Sequence, residues 1–222
     1  MAVNWFPLWL SLRVAALATL VSLALGLWIA YVLANRKFRG KELLDAVVTL
    51  PLVLPPTVLG YYLLVALGRT SPLGHLYEYL FGAPLVFTWQ AAVVASTFHA
   101  IPLLVKSARA AFETVDRSYE KAARNLGASD WRVFWRVTLP LSRRAVIAAS
   151  ILAFARALGD FGTTLMIAGD IPGKTQTASI AIYDAVESGN TLVARVLVLV
   201  LSAVAISIVY AANRLQQRQV IG

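Results

Sequence analysis

The chain has 222 residues, 59% of them hydrophobic and only 14% charged, with a net charge of +9 and no cysteine. Soluble domains sit nearer 45–50% apolar and about 25% charged, and the missing cysteines exclude disulfides, thiolate metal sites and a cysteine nucleophile. The basic excess does not point to nucleic acid, because its residues lie between apolar runs rather than on one soluble face, where they report membrane orientation.

Residues 14–34 form the first run without a charge, and 46–67 the second. At about 1.5 Å per helical residue, each can cross a hydrocarbon core of about 30 Å. Apart from Arg13 at its edge no Lys or Arg precedes the first run, which is too long for a signal h-region and lacks a small-residue cleavage site after it. It is therefore expected to remain as a transmembrane helix. Five spans are predicted, at roughly 12–34, 46–67, 87–107, 145–168 and 192–213. The second is interrupted by Pro51, Pro55 and Pro56, the third carries Pro102 near its end, and the fourth contains Arg156 and Asp160.

The connections carry unequal charge. Arg36, Lys37, Arg39 and Lys41 follow the first span. Nine basic residues from Lys106 to Arg144 follow the third, and Arg214 and Arg218 follow the fifth. Only Arg69 and Lys174 fall on the other side, while Arg13, Arg156 and Arg195 lie within spans or at their edges. The positive-inside rule then places the N-terminus outside and the C-terminus in the cytoplasm. Both external connections are too short for a domain, with 75–81 a candidate interfacial helix in the first and 169–190 forming the second. The whole chain reads as one all-α transmembrane domain.

The one substantial soluble piece is the cytoplasmic loop 107–144. Asp116 can cap a helix ending near Leu126, with Gly127 in the left-handed position after it. Ser129 can cap a second, through Trp131, Phe134 and Trp135, expected to stop before Pro140. Basic residues interleaved with aromatics suit a protein-binding anchor and equally an interfacial helix with its aromatics at the headgroups.

Within this loop Lys121-Ala122-Ala123, then Gly127, then Val137-x-Leu139-Pro140 resembles the EAA loop of ABC-importer permeases, every spacing kept. Lys121 occupies the usual Glu slot, with Glu120 one place earlier, and Val137 replaces Ile. Three further segments are similar to the molybdate permeases of that family. They are residues 50–61, LPLVLPPTVLGY; residues 154–162, FARALGDFG, with Asp160 in a Glu slot; and the external Ile171-Pro172-Gly173-Lys174-Thr175. The resemblance implies a type I ABC importer permease fold in the cell inner membrane. It implies a homodimer with one pathway between two copies, cytoplasmic ATPase subunits that dock on the loop, and an external oxyanion-binding protein. The implied cargo is molybdate or tungstate, with a sulfate or thiosulfate importer as the alternative. No catalytic residue, cofactor or metal ligand is implied, and ATP hydrolysis falls to another chain.

Individual residues bear two readings each. Pro55 and Pro56 remove backbone donors and should unwind the chain through Thr57. Broken backbone survives at membrane depth only against protein or a wet cavity, so this stretch marks either the translocation path or a structural kink. Arg156 and Asp160, a charged pair at mid-bilayer, either neutralise one another as an i,i+4 ion pair or place Arg156 by the anion path. Gly159 and Gly162 suit close helix packing. His75 and His99 have no acidic cluster nearby in sequence, and neither reads as a metal ligand. Residues 168–175, AGDIPGKT, satisfy a relaxed phosphate-loop pattern but follow a membrane span with no α/β domain around them, and are read as coincidence. A membrane enzyme would need more polar groups at depth than the Arg156–Asp160 pair. A stand-alone channel or secondary carrier is opposed by the EAA-like loop and by the expectation of no paired broken helices.

Overall fold

The computed structural model describes residues 4–217, so the predicted cytoplasmic cation Arg218 lies outside the described residues. Among those described, the chain is helical throughout, with no strand. Helix α1, Phe6–Asn35, is 30 residues long and accommodates Pro7 in its first turn, so it begins ahead of the expected span. It is followed by α2 (Lys41–Val53), α3 (Pro56–Leu67) and α4 (Pro72–Phe81). The last is the short helix anticipated between the second and third spans, opened by Ser71, whose Oγ accepts from the Gly74 N–H at 2.9 Å. Helix α5 (Trp89–Glu113) runs past the expected limit of 107 without breaking at Pro102. The loop helices α6 (Arg117–Asn125) and α7 (Asp130–Val133) precede a π turn, Phe134–Thr138, that leads into α8 (Leu139–Leu158). Helices α9 (Gly162–Ala168), α10 (Ala178–Glu187) and α11 (Thr191–Gln217) complete the chain.

Among the described residues, four helical stretches are long and apolar enough to cross a membrane: Phe6–Asn35, Trp89–Glu113, Asp130–Leu158 and Thr191–Ala211. A fifth crossing exists only if α2 and α3 are taken together, and these are bent by 113° at their junction. The second predicted span is thus two helices rather than one kinked rod. The fourth is also corrected: helix ends at Leu158, and α9 restarts after Gly159-Asp160-Phe161. The second loop helix does not stop before Pro140 either. The Leu139 N–H bonds Phe134 O across the wider π turn, which lets α7 flow into α8 with Pro140 in the latter's first turn, where its missing N–H costs little.

Helix α5 is the hub, packed between α1 and α8, while α11 lies on α8 and α9 on α3. The middle of this bundle is a seam of small side chains, Ala15, Ala18, Ala100, Ala153 and Ala157, which lets the backbones approach closely. Gly26 belongs to the same logic: a Cβ there would come within 2.7 Å of Leu104 Cδ2. Aromatic packing closes the α6 end of the bundle, where Phe134 lies edge-on to Tyr31 at a centroid distance of 5.0 Å. At the other end, Ser11 Oγ accepts from the Ala178 N–H at 2.8 Å and so tethers the start of α10 to α1.

Candidate functional site

The two helix breaks meet. Leu54 and Pro55 both adopt extended backbone, at ψ 139 and 137, because each precedes a proline ring that disfavours the helical region. Helix α3 then starts at Pro56 with Thr57 in its first turn, and Pro55, Pro56 and Thr57 are all exposed. Opposite them, Thr163 at the start of α9 donates its hydroxyl to Pro56 O at 2.9 Å, across 107 residues of sequence. A Cβ on Gly162 would stand 2.9 Å from Pro56 Cβ, and one on Gly60 only 2.6 Å from Met166 Cβ. Two glycines and one threonine therefore seat the broken ends on one another. The expectation of no paired broken helices is overturned, because Gly159-Asp160 interrupts an apolar run that contains no proline.

Asp160 lies inside this second break, its side chain 2% exposed. Its Oδ2 accepts from Thr164 Oγ1 at 2.6 Å. Its Oδ1 is 2.9 Å from His99 Nδ1 on α5, a contact buried on both sides though off the line of a well-aligned hydrogen bond. Arg156 Nη1 is more distant, at 3.7 Å, and its side chain remains 31% exposed. The i,i+4 pair read from the sequence is thus the weaker contact, because the helix ends before Asp160 and turns the carboxylate toward α5. Sequence reasoning misses His99. A histidine inside an apolar span needs a polar partner, and Asp160 is the one acid in the facing span. Among the described residues, no group of three or more His, Cys, Asp or Glu could hold a metal ion.

The loop between α5 and α8 is built as its caps dictate. Asp116 accepts from the Ser118 N–H at 2.8 Å, a backbone bond that holds this exposed carboxyl below its ordinary range. Gly127 takes φ +82, the left-handed position after α6, and the Ala128 N–H returns to Ala123 O at 3.0 Å. Ser129 Oγ accepts from the Arg132 N–H at 3.4 Å. Glu120 is buried, accepting from Thr138 Oγ1 at 2.6 Å and, more loosely, from Arg124 and Asn35. Arg124 also reaches Asp130 at 3.1 Å, which pairs in turn with Arg36 at the end of α1.

This network clamps α6 to α1 and to the π turn. It leaves Tyr119, Lys121, Ala122 and Leu126 facing outward, with Leu126 89% exposed. Ala123, Val137 and Leu139 are half-buried and Pro140 is exposed. The loop aromatics divide. Phe134 is core, while Trp131 and Trp135 form an exposed group with Trp28 of α1, the arrangement of an interfacial belt.

The phosphate-loop lookalike is closed on itself. The amides of Lys174, Thr175 and Gln176 all bond Ile171 O, and Thr175 Oγ1 bridges Ile171 N–H and Gly169 O. None of these donors is turned outward to cradle a phosphate.

Comparison with known proteins gives consistent results. The family described as "Binding-protein-dependent transport system inner membrane component" matches residues 22–220. The "Molybdenum transport system permease protein ModB" of Escherichia coli (strain K12) is 44% identical over 208 residues, covering 92% of this chain and 90% of that protein. The "Probable sulfate transport system permease protein cysT" of Chlorokybus atmophyticus is 34% identical over 206 residues, 93% of this chain and 72% of that one. Among solved structures, an inward-facing form of the MetNI methionine ABC transporter superposes with a TM-score of 0.74. It covers 98% of this chain and 99% of its own at 17% identity, a likeness of fold.

Proposed function

The chain belongs to the binding-protein-dependent transport system inner membrane components, and from that membership we propose that it is the permease subunit of an ATP-driven importer that carries molybdate. It is an inner-membrane transport subunit and not an enzyme, working with an ATPase that hydrolyses ATP and a binding protein that delivers the cargo. The observation that carries the substrate is the near full-length match to a molybdenum permease, closer than the match to the sulfate one. Tungstate, of the same tetrahedral shape and charge, belongs to the same proposal. The paired breaks are a feature that secondary carriers also use, but the family separates this chain from them.

The basic residues support an N-terminus outside and a C-terminus in the cytoplasm, so that α6 faces the ATPase. Two copies are proposed to form one pathway within the lipid bilayer. Glu120, Lys121, Ala122, Ala123 and Gly127, with Val137, Leu139 and Pro140, are the proposed coupling residues. Closure of the ATPase pushes on the outward face of α6. The Glu120–Thr138 and Arg124–Asp130–Arg36 contacts pass that motion to α8 and α1. Helix α8 ends at the Asp160 break, whose α9 carries Pro56, so displacement of α8 shifts the backbone at Pro55, Pro56 and Thr57. Those residues, with the partly exposed Arg156 beside Asp160, are the proposed translocation path. A loosely held guanidinium suits passage, since a deep cationic trap would retain the anion.

The test is ATP-dependent uptake by proteoliposomes containing the chain with its ATPase and binding protein, using labelled molybdate, tungstate or sulfate. Uptake of molybdate that outcompetes sulfate, and that fails when Gly127 is replaced by a bulky residue, supports the reading. Equal uptake without any ATPase overturns it.

A further inference from the structure

The external motif Ile171–Thr175 plays no part in the coupling route, yet Gly173, Lys174 and Thr175 form one wall of a cavity of about 440 Å³. Its other walls are the first two turns of α1 and the start of α5, with Trp9, Arg13, Phe87 and Trp89 among the lining residues. This is the end of the bundle opposite α6, which packs near the last residues of α1. Two cations and no carboxylate line it.

Arg13 is held in an unusual way. Its guanidinium carbon stands 3.9 Å from the ring centroid of Trp89 and 5.3 Å from that of Trp9. Stacking on indole faces fixes the plane of the group and leaves its N–H edge free for a planar or tetrahedral acceptor. Among the described residues, neither Arg13 nor Lys174 has an acidic partner within ion-pair distance. Arg13 is exposed at the edge of an apolar span and has no acid of its own chain within ion-pair distance, so its N–H edge is open to an anion from outside. The positive end of α5 opens on the same cavity and adds to the field.

We propose that this cavity is a binding site for a tetrahedral oxyanion, held by Arg13 and Lys174. The ligand chemistry has two sources, a free oxyanion such as molybdate or the phosphate of an anionic lipid headgroup. The site is separate from the path at the helix breaks, and binding there is measured without transport. A chain that transports but does not bind here loses this inference alone.

The experiment uses the full chain with its ATPase in phosphate-free dodecyl maltoside. Tryptophan emission, to which Trp9 and Trp89 contribute, is followed at fixed ionic strength against sodium molybdate and, separately, against a short-chain phosphatidylglycerol. A saturable change with molybdate, weakened about tenfold in Arg13→Gln and Lys174→Gln, assigns the free oxyanion. The same pattern with phosphatidylglycerol alone assigns the lipid phosphate, and either result upholds the site. Lys174 sits on an exposed loop away from the core, so Lys174→Gln decides the matter even if Arg13→Gln does not fold. No saturable change with either probe, or a response that Lys174→Gln leaves unaltered, overturns the proposal.

Discussion

His99 Nδ1 stands 2.9 Å from Asp160 Oδ1, joining the middle of α5 to the gap between α8 and α9. Both side chains are almost wholly buried, and each is the other's nearest charge-bearing contact across the bundle. Removing Asp160 leaves His99 Nδ1 without its polar neighbour, and removing His99 leaves Asp160 to Thr164 and the more distant Arg156, each at a cost of about 1–3 kcal/mol. His99→Ala and Asp160→Ala should each lower the unfolding temperature in detergent sharply. The double variant should cost less than their sum by at least about 1 kcal/mol. Strict additivity in that cycle would sink the pairing.

The seat between the breaks makes a different demand. Thr163→Val removes the part-buried hydrogen bond to Pro56 O and should destabilise the protein by about 0.5–1.5 kcal/mol. Gly162→Ala pushes a methyl to within 2.9 Å of Pro56 Cβ and forces the breaks apart. Uptake should then fall further than ATP hydrolysis in proteoliposomes. A proportional loss of both would place the breaks outside the coupled path.

Gly127 is surrounded by open space, with no atom within 4 Å of where a Cβ would stand, so its substitution acts through backbone conformation alone. At φ +82, a residue with a Cβ is strained by about 1–2 kcal/mol, and asparagine less than most. Binding-protein-stimulated ATP hydrolysis should therefore rank Gly127→Asn above Gly127→Ala above Gly127→Val. Gly127→Ala ranking above Gly127→Asn would mean that side-chain bulk against the ATPase dominates.

Glu120 and Thr138 are expected to act as one unit. Thr138→Val leaves the buried carboxylate with only its longer contacts to Arg124 and Asn35. Stimulated hydrolysis should fall, with Glu120→Gln milder because its amide oxygen can still accept from Thr138. Full coupling in Thr138→Val would show that α6 is held to the bundle by the Arg124–Asp130–Arg36 chain alone.

The pH dependence of the loop follows from Asp116. Its carboxyl titrates below the ordinary range when folded, because the ionised form accepts from the Ser118 N–H. A depressed folded value means that the cap's contribution is present above the unfolded value, about 3.9, and is lost as pH falls through the folded one. Asp116→Asn retains a capping oxygen without a titrating charge. Thermal unfolding of wild type and variant should keep a constant offset through neutrality and change it only below about pH 4. An offset that shifts between pH 6 and 8 would assign the titration to another group.

Local chemistry explains which features are legible in the sequence. Proline constrains its own neighbour, so Pro55 and Pro56 announce their break without reference to the rest of the chain, although not that it bends by 113°. Asp116, Gly127 and Ser129 are caps whose partners lie within five residues, and each is found in its expected role. The break at Gly159-Asp160 is invisible in sequence because what stabilises it is remote, His99 on one side and Pro56 on the other. The continuation of α7 through Pro140 escapes notice for a related reason. A proline ordinarily ends the helix before it, and only a widened turn makes room.

That widened turn has a bearing on descent. A π turn holds one residue more than the α-helix it interrupts, so residues 134–138 set the register between the loop and α8 by a single residue. Deleting one of them would let the α-helix close, turning everything before it by about 100° about the helix axis relative to α8. Trp131 would leave Trp28, and Thr138 would leave Glu120. The phase between the proposed coupling helix and the proposed path is thus written in one peptide unit, and a lineage could change gear there by gaining or losing a codon.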